Sequence, residues 1–357
     1  MATFSQEFGL GKSQAELDFV DVELDRDMPL FLDPFAISQH PDHWERDAHD
    51  HLVAFFQQLI DGIRAGHGHA ARQLLNHLRE PNETHLGFSH GRPQGAGIGA
   101  YQADKIFEVL QVSQAVQTGF LSSLEECELM IEGIGRDKIS DLTTNILRGQ
   151  LAEYTMAQCE LHGVPTRAVA VGPSFQLEQR DWVNQYFPLP VANNRPILLV
   201  PKVITRADCA YNHRKYYRDF ALNYLQAEHL AAGSGLVRAL KNGRRVVLKK
   251  DLEARYPCTK EYLFQFSRAH PEVLAEYRDH LAELERRGPH GLIGVDDEPG
   301  LAAALSIALD AIVPGNEDAS AYHKLMIGIL EFVFFPALIC PRKEQEIQVV
   351  SQFEFDR

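Results

Sequence analysis

The sequence has five cysteines in 357 residues, and none of them forms a C-x-x-C pair. Cys127, Cys159, Cys209, Cys258 and Cys340 lie far apart and are odd in number. Reduced thiols fit that pattern; a disulfide framework or a zinc knuckle needs closely paired cysteines. Long apolar runs are lacking as well. No stretch of about 18 uncharged apolar residues occurs, so no membrane span is expected. The opening residues Met1 to Phe8 lack the basic and apolar regions of a secretory signal, and a cytoplasmic location is expected. Nor is there a complete nucleotide motif. Gly9-Leu-Gly11-Lys12-Ser13 ends like a phosphate loop, but Gln6 stands where G-x-x-x-x-G-K-[ST] needs its first glycine. Gly95, Gly97 and Gly99 miss the dinucleotide fingerprint because position 100 is Ala100. The sixteen histidines include no H-E-x-x-H.

What is present is an ordinary globular composition, 45% hydrophobic and 24% charged, long enough for about two domains. Acidic residues outnumber basic ones, 49 to 35, for a formal net charge of −14. The charge is segregated. Residues 1–50 hold 3 basic and 12 acidic side chains, whereas residues 201–250 hold 11 basic and 3 acidic. Within the latter, residues 238–250 (RALKNGRRVVLKK) carry six cations and no acid. Such a patch is either a solvated or interdomain face or a phosphate-contacting one, because attraction to phosphate is local at physiological salt.

Periodicity predicts helices over about 42–65, 68–79, 101–117 and 122–132, and a long one ending near 162 before Gly163-Val-Pro165. Residues 17–32 read as short strands, 81–100 as a loop, and Ala168–Val171 and Ile197–Val200 as strands. A helix follows over about 213–231. Asn242-Gly243 between apolar-containing runs predicts a hairpin over 237–248. Asp251 and Thr259 read as N-caps, and helices are expected at about 270–287, 300–312 and 319–335. Glu331 is the one acid in the apolar run Leu325 to Phe335, and an acid there costs free energy unless it is solvated, paired or metal-bound.

Four blocks carry a resemblance: LFLDPF (30–35), GRDKISDLTTNIL (135–147), ILLVPK (197–202) and YHKLMIGILEFVFFPALICPRKEQEI (322–347). In these the chain resembles an uncharacterised bacterial restriction-endonuclease-like group suspected of phage defence. The resemblance implies a PD-(D/E)XK-type nuclease domain in which Glu331 is the helix carboxylate and Asp356 the strand carboxylate. Together they would be catalytic and hold Mg²⁺, with a later Glu-x-Lys strand completing the site. That strand has no counterpart before Arg357, so the expected catalytic site is incomplete, and whether the chain is an enzyme stays open.

The expectation is therefore an α+β, mostly helical chain in three parts. These are a helical N-terminal domain (1–165), an α+β domain with a basic hairpin (166–288), and the beginning of a nuclease-like domain (300–357). It would serve as the recognition or regulatory part of a DNA-processing defence protein, with Arg238, Lys241, Arg244, Arg245, Lys249 and Lys250 on DNA. A second copy, or another chain supplying the rest of the nuclease domain, is the other partner class considered. The rival reading is a non-enzymatic assembly module using acidic 1–50 and basic 201–250.

Overall fold

Apolar side chains recur every three to four residues from Trp44 to Ile63, and this stretch forms the His43–Arg64 helix. Trp44, Leu52, Phe55, Phe56, Leu59 and Ile63 are all buried along its inner stripe. The computed structural model describes residues 2–40, 42–87, 100–287, 298–315 and 318–341. The expected terminal strand (344–356) lies outside these residues, as does 288–297 of the expected linker. The fold is α+β and mostly helical, with small antiparallel two-stranded sheets among the described residues.

The expected long helix before Gly163 is two helices, Arg136–Ile146 and Arg148–His162, with Leu147 turned out of helical geometry between them. The reason is local. The hydroxyls of Thr143 and Thr144 donate to the carbonyls of Ile139 and Ser140, a bond back to i−4 that bends helices. The helix expected over 122–132 is shortened to Cys127–Met130. There the carboxylate of Glu126, not Glu125, accepts from both N–H and hydroxyl of Ser122, so the turn opens late.

Ile197–Val200 is buried and outside any ladder; its backbone groups are satisfied one by one. Leu198 N–H donates to the Glu83 carbonyl, Leu199 N–H to the Thr155 hydroxyl, and the Val200 carbonyl accepts from Val20 N–H. The segment threads between elements rather than joining a sheet. Ala168–Val171 does belong to a strand, Arg167–Gln176, which pairs with Asp181–Leu189. Register shifts between Ala170 and Pro173, where Gly172 takes a left-handed conformation. The expected boundary near residue 166 falls at the start of this hairpin. Phe31–Leu32 pairs with Thr205–Arg206 across the chain, which brings the acid-rich and base-rich segments side by side.

One cluster of buried apolar side chains runs from Phe4 to Leu281, and Phe335 and Ile339 pack against it. The helices Glu298–Asp310 and Ala319–Phe334 follow, close to the expected spans. Among the described residues, no helix is long and apolar enough to cross a membrane.

Candidate functional site

Two charged assemblies stand out, one buried and one exposed. The buried one begins with Glu331, which is 4% exposed. Its carboxylate lies 2.9 Å from the ammonium of Lys202, itself 5% exposed and the last residue of ILLVPK. Lys202 also sits over the Phe335 ring, 4.2 Å from its centroid. Asp18 lies beside this pair. One of its carboxylate oxygens accepts from the Tyr154 hydroxyl and the other from the Cys340 backbone N–H. Lys12 donates to the Lys324 carbonyl, and Lys324 to the His162 carbonyl. Burial pushes the Glu331 and Asp18 carboxyls up, Asp18 raises Glu331 further, and Lys202 pulls both back. Burial, with Lys12 and Lys324 nearby, brings the His162 imidazole down to about 4. The arrangement joins the Ala319–Phe334 helix to the N-terminal segment through polar contacts.

The other blocks meet close by. Leu32 N–H donates to the Ser140 hydroxyl, and Asp33 N–H to the Ile204 carbonyl. Asp33 caps the Pro34–Gln39 helix through Phe35 N–H and also accepts from Ala210 N–H. In GRDKISDLTTNIL, Asn145 bonds the backbone of Arg79 in both directions and accepts from Arg148. Arg148 is fully buried and reaches Glu83 and the Val171 carbonyl, both at 3.2 Å. Asp141 is half-buried and, among the described residues, in no ion pair. Burial, then Asp137 and Glu80, push its carboxyl up to about 8.

The expected catalytic pair is therefore not seen together. Glu331 is held by Lys202, and Asp356 lies outside the described residues. Among the described residues no group of three His, Cys, Asp or Glu side chains could hold a metal ion. Sequence reasoning missed Asp18, Lys202 and the Glu83–Arg148 pair. A signal existed for Lys202: a lysine closing a buried apolar run needs an internal acid, and Glu331 was the acid without a partner.

The exposed assembly is the hairpin. Arg238–Ala239 pairs with Arg245–Val246. The Gly243 N–H donates to the Leu240 carbonyl, and Leu240 N–H to the Arg244 carbonyl. Gly243 is left-handed at φ 78°. The connection is thus a three-residue loop with glycine in the left-handed position, rather than a two-residue Asn-Gly turn. Two bonds fix the hairpin to the neighbouring helices: Gln226 Nε2 donates to the Val247 carbonyl, and Lys249 Nζ to the Arg218 carbonyl, both at 2.6 Å. Thr259 caps the Lys260–Ala269 helix as expected, whereas Asp251 lies inside Lys249–Arg255. Arg238, Lys241, Arg244, Arg245 and Lys250 are exposed and Lys249 is half-buried. Among the described residues these six cations make one ion pair, Arg238 with Asp251 at 2.7 Å.

A family model, a domain of unknown function (DUF8370), matches residues 9–212, more than half of the chain. The chain belongs to that family. No curated protein and no solved structure matches it. The family domain contains Lys12, Asp18, Glu83, Arg148 and Lys202. Glu331 and the basic hairpin lie beyond the match, so the ionic cluster ties the family domain to the C-terminal helix.

Proposed function

We propose that this chain is the recognition part of a restriction-endonuclease-like DNA-processing protein, with the 238–250 hairpin contacting the DNA phosphate backbone. One observation carries the reading: six cations with no intervening acid lie along the hairpin and the first turn of the helix after it, five of them exposed, and among the described residues only Arg238 is in an ion pair. Exposed cations stay hydrated, their mutual repulsion is screened by salt, and they gain by displacing counterions from a polyanion. Contacts of this kind position a protein on DNA without reading bases. In this reading Glu331 holds the C-terminal helix to the family domain; any metal-dependent cutting would use groups not assembled around Glu331 here.

The test is a gel shift or anisotropy titration at low salt. The unaltered chain should bind DNA, and simultaneous Lys241→Ala, Arg244→Ala, Arg245→Ala and Lys250→Ala should abolish most of that binding without moving the melting temperature. A folded chain with no DNA binding at low salt would refute the proposal.

A further inference from the structure

The hairpin is not the whole of the charged surface. The helix it is bolted to begins with Asn212, whose side chain caps it by accepting from the N–H groups of Arg214 and Lys215. Helical geometry then runs without a break through His213–Lys215, the wider turn Tyr216–Ala221 and Leu222–Ala231. Tyr216, Tyr217, Ala221 and Leu222 bury one side of it. Arg214 and Arg218, one turn apart, are exposed. Lys215 and Asp219 face elsewhere, since both line a cavity of about 360 Å³ with Phe220 and Tyr277. Arg218 is continuous with the hairpin base, because its carbonyl is the acceptor for Lys249 Nζ. Arg245 returns from the other strand to lie over Gly233, just past the end of the same helix. Two cationic arms therefore diverge from one junction at Lys249. One is the hairpin tip, with Lys241 and Arg244. The other is the helix start, with Arg214 and Arg218.

The surface also lacks something. Proteins that hold single strands offer exposed aromatic faces on which bases stack, typically ~1–3 kcal/mol per base. Here Tyr217 is buried and Phe220, Tyr224, Tyr256 and Tyr262 are half-buried. The exposed apolar side chains on this surface, Leu240 and Leu248, have no ring. Charge beside rings that are already packed against Tyr277, Phe266 and one another suits a partner whose bases are already stacked on each other.

Building on the DNA-binding reading, we infer that the partner is a duplex, gripped on its phosphate backbone by two arms, the 238–250 hairpin and the Arg214–Arg218 turn. The grip is independent of sequence, because point contacts to phosphate carry no base information.

The experiment uses the full chain with a 20-base-pair duplex DNA, the duplex RNA of the same sequence, and an unstructured 20-nucleotide oligothymidine, titrated over a range of salt. Duplex DNA should bind at least about tenfold more tightly than the single strand. The paired substitutions Arg214→Ala and Arg218→Ala should lower duplex affinity and flatten the slope of log K against log salt by roughly two, close to 0.9 per lost phosphate contact. Arg214→Lys with Arg218→Lys should restore most of the binding, which a merely structural loss would not allow. The RNA duplex separates the two sources of a double-stranded backbone. Equal or tighter binding of the single strand, or an unchanged slope in the alanine pair, overturns this inference while leaving DNA binding by the hairpin intact. No binding to any of the three overturns the functional reading itself.

Discussion

Lysine does opposite work in the two charged regions. At the cluster around Glu331, Lys202 is buried and its charge is met by an acid and an aromatic ring, while Lys12 and Lys324 are spent on carbonyls. On the hairpin Lys241, and at the start of the helix after it Lys250, are exposed and, among the described residues, in no ion pair. A buried ion pair is costly to form and costlier to break by halves, because the survivor is left charged in an apolar setting. An exposed cation contributes little to folding and stays available for a partner. Composition alone does not separate the two uses; burial does.

The comparison breaks first if Lys202 is dispensable. Lys202→Met should strand Glu331 and Asp18 and destabilise the chain by ~3–5 kcal/mol, as removal of one partner of a buried pair does. Chemical denaturation measures it, and a loss below about 1 kcal/mol would mean that the pair is solvated. Glu331→Gln should cost less, since burial already favours the protonated, neutral form of that carboxyl. Arg148→Leu ranks next at about 3 kcal/mol, because Glu83 would lose one of the two arginines paired with it among the described residues.

A half-buried acid sharpens the contrast, because among the described residues Asp141 is in no ion pair. Asp141 titrates near 8 when folded and near the ordinary aspartate value of ~4 when unfolded. Between those values the folded chain binds the extra proton, so this group's favourable contribution is complete below pH ~4. It is lost as pH rises to about 8. Asp141→Asn should therefore leave stability unchanged near pH 4 and raise it by ~1–3 kcal/mol above pH 8, read from urea midpoints across that range. A variant as pH-sensitive as its parent would assign the dependence to other raised acids, such as Glu45 and Glu125, both pushed up to about 7 chiefly by burial.

Much of this was legible in the residues. The apolar stripe from Trp44 to Ile63 set its helix almost to the residue, and the Asn242-Gly243 signal located the hairpin. Glu331 announced itself as an acid in an apolar run. What stayed hidden was pairing across the chain. Lys202 and Glu331 each show locally that a partner is needed, but nothing local joins them across 129 positions, and nothing at all marks Arg148 as the partner of Glu83. Local signals also failed where tertiary bonds replaced regular ones. The Ile197–Val200 run has strand composition but hands each backbone group to a different neighbour. Two threonines in succession bent what periodicity read as one helix.

The smallest effect on folding belongs to the hairpin and carries the largest functional consequence. Replacing Lys241, Arg244, Arg245 and Lys250 by alanine should change stability by less than about 0.5 kcal/mol per exposed site. The decisive measurement is the salt dependence of duplex DNA binding by this fourfold variant beside the unaltered chain. A slope of log K against log salt that flattens by about three to four, at an unchanged melting temperature, is the predicted result. Identical slopes for the two folded chains would contradict the claim that this hairpin is where the molecule meets phosphate.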